Sequence, residues 1–185
     1  MRKILTRVVI CLPLLVFACT LTGHAQSLSS EDIKAQMVKD WERAKAYTID
    51  YLNTMPADKY GFKAVDSLRS FAQQMLHLSQ GNIFLMMNGT DQTPPAFAKS
   101  DLEHSATAQT KDSVMYYVTT SYDYCMNAVK ATDVNKWGEK KKLMKYEETR
   151  LAMMMKAFEH QTHHRGQTTI YIRLQNIKPP QERLF

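Results

Sequence analysis

Apolar side chains recur at intervals of three and four residues in four long stretches of this chain, the period of an α-helix with one buried face. In SSEDIKAQMVKDWERAKAYTIDYLNTM, residues 29–55, the stripe comprises Ile33, Met37, Trp41, Ala44, Thr48, Tyr51 and Met55. Ser29 or Ser30 supplies an N-cap, acids follow in the first turn, and Pro56 ends the helix. A second helix is expected to open at Asp66 or Ser67 and run to about Met87. Its inner side carries Phe71, Met75, Leu78, Asn82 and Leu85, with Asn88-Gly89 closing it. A third is expected from about Thr110 to Ala131, behind Val114, Tyr117, Val118, Ser121, Cys125 and Ala128. Thr149 caps a fourth, whose inward face bears Met153, Ala157, His160, His164, Gln167 and Tyr171 until NIKPP stops it.

The connections are polar. Residues 88–106, NGTDQTPPAFAKSDLEHSA, hold two prolines and several small polar residues, so they read as a long crossover loop. Residues 136–145, KWGEKKKLMK, read as a solvated loop, and no stretch reads as a convincing strand. The expectation is an all-α fold, a four-helix bundle with a topology other than simple up-down-up-down.

The first 25 residues break the pattern. Arg2, Lys3 and Arg7 precede an apolar run over residues 8–18, and small residues end in Gly23-His24-Ala25. This is the layout of a secretory signal peptide cleaved after Ala25, leaving one domain over residues 26–185. Cys19 offers a lipoprotein variant of the same export, although Phe17 is bulky where such signals prefer small residues. Removal of Arg2, Lys3 and Arg7 leaves 21 basic against 18 acidic residues. So mild a net charge, without an aromatic ladder, argues against nucleic acid as a partner. Cys11 and Cys19 leave with the signal, so Cys125 has no intrachain disulfide partner. The mature chain is expected to be exported, with no membrane span, to take a small-molecule substrate, and to allow a homodimer.

The chemistry gathers at HQTHHRGQ, residues 160–167. His160 and His164 stand about 40° apart on a helical wheel and one turn apart along the axis, whereas His163 points about 60° to the other side. Two imidazoles on an apolar stripe are satisfied by a shared cation or by a half-exposed polar patch, and the pattern of that helix alone leaves both open. His77 weighs for the cation. It lies mid-helix between Leu76 and Leu78, with Gln73, Gln74 and Gly81 on its own side. Opposed across the bundle to the pair, it completes a three-histidine set with ring nitrogens within about 4 Å of each other. His163 reads as a helix-edge residue, His104 as exposed in the crossover loop, Cys125 as core, and the methionines as core filling rather than a copper site. Gln161 stands where a zinc protease of His-Glu-x-x-His type carries its general base, which argues against a peptidase.

These residues resemble the DinB-like family, also called YfiT-like metal-dependent enzymes, over nearly all the mature chain. The likeness lies in MPADKYGFK (55–63), RSFAQQMLHL (69–78) and most specifically HQTHHRGQTTIYIRLQNIKPP (160–180). It implies a four-helix bundle with His77, His160 and His164 as ligands of a divalent metal. Zinc stands first, with nickel, manganese and iron as alternatives. An open water position would suit a hydrolase or a thiol transferase, with Gln167 and Tyr171 orienting ligand or substrate. The alternative is a non-catalytic metal-binding bundle with a role in stress response. Family members that use bacillithiol or mycothiol work in the cytoplasm, where an exported chain would not meet those thiols.

Overall fold

The structure, a computed structural model, describes residues 27–185; the expected signal peptide, its cleavage site and Cys19 lie outside the described residues. Four helices dominate: α1 (Ser30–Thr54), α2 (Phe71–Thr90), α3 (Lys111–Ala131) and α4 (Arg150–Leu174). α2 packs broadly on both α3 and α4, and α1 likewise packs on α3 and α4. Successive helices α1 and α2 therefore face each other across a diagonal, as do α3 and α4. The diagonals are crossed by residues 55–70 and 132–149, whereas the long connection before α3 joins two neighbouring helices. Among the described residues no helix is long and apolar enough to cross a membrane.

Local chemistry sets the helix ends. Ser29 and Asp32 form a reciprocal capping box at the start of α1, and the Thr110 and Thr149 side chains accept from the third residue of α3 and α4. The start of α2 corrects the sequence expectation. It begins at Phe71, not at Asp66 or Ser67, because Ser70 and Gln73 make their own capping box. Two further first-turn donors are taken by the preceding loop: Phe71 N–H donates to the Phe62 carbonyl at 2.9 Å and Ala72 N–H to that of Tyr60 at 2.8 Å. Residues 63–69 are thereby released from the helix to stand beside it. At the other end α2 runs past Asn88-Gly89 to Thr90, and Asp91 takes the left-handed conformation at φ 58°. Gly89 stays helical against α4, where an added Cβ would lie 3.1 Å from the Arg150 carbonyl oxygen.

The basic stretch before α4 is a second correction. β1 (Lys140–Leu143) and β2 (Tyr146–Thr149) form an antiparallel hairpin, with Lys141 opposite Glu148 and Lys142 opposite Glu147. Facing opposite charges favour that register, and Met144 makes the turn at φ 55°. A periodicity search misses so short a ribbon, which has no buried face to alternate. The core is centred on Trp41, whose ring meets Tyr122 and Phe158 edge-on at 5.6 and 5.3 Å between centroids.

Candidate metal centre

α2 and α4 bring His77, His160 and His164 together. Ring centroids are 4.3 Å apart for His160 and His164, 4.5 Å for His77 and His164, and 5.4 Å for His77 and His160. One ring nitrogen from each lies within 4.8 Å of the others. This is wider than the 4 Å expected from the sequence, and ligands bound at about 2.1 Å to one ion stand roughly 3.4 Å apart in a tetrahedral shell. Side-chain rotations on the order of 1 Å close that difference.

The close approach of the two helices depends on Gly81, one turn beyond His77. A Cβ built there would lie 2.0 Å from Cε1 of His160, so the ring occupies the space a side chain would need.

Each ring is held differently. His77 donates from Nδ1 to Oε1 of Glu103 at 2.7 Å, which leaves its Nε2 as the unprotonated nitrogen. Burial raises the Glu103 pKa, but hydrogen bonds from Arg69 and His77 outweigh it, holding the carboxyl below its usual range and charged at neutral pH. Glu103 is itself anchored through its backbone carbonyl, which accepts from Gln73 at 3.0 Å and Gln109 at 2.8 Å. The Gln74 amide meets Nδ1 of His164 at 2.7 Å, again leaving Nε2 free. When that Nε2 is the donating nitrogen, Nδ1 carries the proton and the amide presents its oxygen, an orientation of the same shape as its reverse. Gln74 also contacts Gln167, which reaches Nε2 of His163 at 3.0 Å. Nδ1 of His160 is buried with no hydrogen-bond partner.

Electrostatics keep the pair on α4 neutral. Burial lowers the His160 pKa to about 4, with the neighbouring His77 and His163 adding to the shift. The same cause, with His160 and His77 next, brings His164 to about 3. Arg69 contributes at both, which places its charge within reach of the rings. Three imidazoles with one nitrogen each within reach of a common point, two of them held neutral by burial, fit a divalent cation of borderline softness. A cavity of about 800 Å³ reaches the cluster at His164 and is walled by Arg69, Gln73, Glu103 and Gln167.

The other candidates fall outside the cluster. His163 is exposed and bonded to Gln167; His104 is exposed and bonded to Asp101 at 2.8 Å, although it borders the cavity. Cys125 is buried, its thiol pushed up by desolvation and its Sγ 3.6 Å from the Asn82 carbonyl oxygen. Gln161 points away from the rings into the core, where its Oε1 accepts from Tyr122 at 2.8 Å and from Arg165 at 2.8 Å. The position that would carry a protease's base is thus structural. Tyr171 lines the cavity, and its hydroxyl donates to the Arg69 carbonyl at 2.8 Å.

Sequence reasoning missed Glu103 and Arg69. Neither lies on a periodic stripe, and Glu103 is 26 residues from His77; an acid at the end of a loop carries no local mark of a histidine partner.

A sequence model described as the DinB family matches residues 25–182. No curated protein matches the chain. Among solved structures, a DinB-like protein from Bacillus cereus is similar at a TM-score of 0.69 and 13% identity, over 80% of this chain and 96% of that one.

Proposed function

We propose that this chain, which belongs to the DinB family, is an exported metal-dependent enzyme in which His77, His160 and His164 hold a divalent ion, zinc first among the candidates. The observation that carries this reading is the convergence of three imidazoles beside an open cavity. A divalent ion held there would supply Lewis acidity and lower the pKa of a water or thiol at its remaining coordination position.

The chain's own residues do the rest. Glu103 fixes the tautomer and orientation of His77, Gln74 fixes the orientation of His164, and Gly81 admits the His160 ring. Among the described residues no carboxylate joins the three histidines in the cluster, so an ion there would turn its full charge to the cavity. This suits hydrolysis or transfer to a thiol, the reaction classes the site favours. The cavity of about 800 Å³ at His164 supports this reading over a metal-storing bundle, which has no need of such an approach to its ligands.

The test is metal analysis of the mature protein as purified, followed by cobalt substitution. About one metal per chain and a cobalt spectrum that shifts on adding azide or a small thiol support the enzyme. A closed tetrahedral spectrum indifferent to both replaces it with the binding bundle.

A further inference from the structure

The cavity carries a second recognition element beside the rings. Of the Arg69 guanidinium only Nε is engaged among the described residues, donating to Oε2 of Glu103 at 2.5 Å. Its two terminal nitrogens have no acceptor among the described residues. The carboxylate that holds Arg69 also holds His77, so the guanidinium and the imidazole cluster are locked into one arrangement. Tyr171 fixes the Arg69 backbone from α4. Farther out, Leu68 and Ile170 line the cavity while remaining 46% and 55% exposed.

Charge decides what such a cavity accepts. Lys63 and Asp66 both line it, and they offset each other. The negative charge of Glu103 is already shared between Arg69 and His77. Imidazoles add no negative charge, so with a divalent ion on the rings the cavity is positive, and among the described residues that line it Arg69 offers a guanidinium with free N–H groups.

We propose that the substrate is a small organic carboxylate: Arg69 takes the carboxylate through its terminal N–H groups, an apolar stretch lies against Leu68 and Ile170, and the reacting end reaches the three-histidine centre. This rests on the reading of His77, His160 and His164 as a metal site. The guanidinium edge between the two terminal nitrogens matches a carboxylate in geometry as well as charge.

The experiment uses the cobalt-loaded mature protein and a series of mercapto acids of increasing length, each paired with the mercapto alcohol and the aminothiol of equal length. The thiol supplies the same metal-binding group throughout, and the thiolate-to-cobalt absorption reports binding without any turnover. At the length that spans the site, the acid is expected to bind about tenfold or more tightly than the alcohol, with the aminothiol weakest. Arg69→Gln should reduce the acid's advantage to about twofold or less, and Arg69→Lys should restore part of it. Equal binding of acids and alcohols at every length in the unmodified protein overturns the carboxylate assignment. An advantage unchanged in Arg69→Gln removes Arg69 from it. Failure of the unmodified protein to bind cobalt defeats the metal reading itself, and is told apart by metal analysis before any thiol is added.

Discussion

The His160 imidazole lies directly over the backbone of Gly81, so close that a Cβ there would come within 2.0 Å of Cε1. Gly81→Ala should therefore displace the ring, costing about 1–3 kcal/mol in stability and most of the metal affinity. Gly61→Ala is the control, since nothing lies within 4 Å of the added carbon. Thermal denaturation and metal titration of both variants check this. Equal behaviour of the two would mean that His160 can bind its ion from another rotamer.

Removing a ligand should empty the site. His77→Ala, His160→Ala and His164→Ala are each expected to lose most of the bound metal, because two remaining imidazoles provide neither the affinity nor the geometry of three. His163→Ala should keep it, as that ring is exposed and outside the cluster. Metal-to-protein ratios after dialysis decide the matter; loss in His163→Ala with retention in His160→Ala would reverse the assignment on α4.

Glu103→Gln should lower metal affinity by about 10- to 100-fold while the bundle stays folded. The carboxylate accepts from Nδ1 of His77 at 2.7 Å and so selects the tautomer that frees Nε2. Nitrogen NMR of the His77 ring should show a mixed tautomer in the variant. An unchanged tautomer and unchanged affinity would reduce Glu103 to a loop anchor.

Acid should destabilise the metal-free protein. His160 and His164 have pKa values of about 4 and about 3 in the folded chain, below the ordinary 6.5 of an unfolded histidine. The unfolded state therefore binds more protons as pH falls through 6.5. Stability from these neutral rings is present above about 6.5 and is lost progressively as pH falls toward about 4 for His160 and about 3 for His164. Melting temperature measured across that range should fall, and less steeply in a His160→Gln, His164→Gln double variant. Parallel slopes would place the acid sensitivity elsewhere.

Export is checked at the N-terminus. Mass analysis of the protein recovered from the producing cell's exported fraction should show a chain beginning at Gln26. An intact Met1 or a lipidated Cys19 would redirect the assignment to a membrane-anchored form.

Much of the bundle is a property of the sequence alone, since helical stripes and caps are local. The stripe from Trp41 to Met55, the caps at Ser29, Thr110 and Thr149, and the pairing of His160 with His164 depend only on spacing along one helix. His77 was legible for a similar reason: an imidazole flanked by Leu76 and Leu78 needs a partner, and the bundle offers one.

Only tertiary structure decided the rest. The start of α2 was set by competition between Asp66 and Ser70, settled by carbonyls of Tyr60 and Phe62 arriving from the preceding loop. The hairpin sets lysines of β1 opposite glutamates of β2, and Lys141 reaches Asp91 at the end of α2. Glu103 reaches His77 because the crossover loop folds back over α2, and Arg69 meets Glu103 because the residues before α2 stand beside that helix. Gly81 is required because α4 approaches it from 79 positions away in sequence, through His160. Periodicity records which face of a helix is buried, but not what is buried against it. Contacts between distant segments are chosen by packing and by the pairing of polar groups once the helices have met.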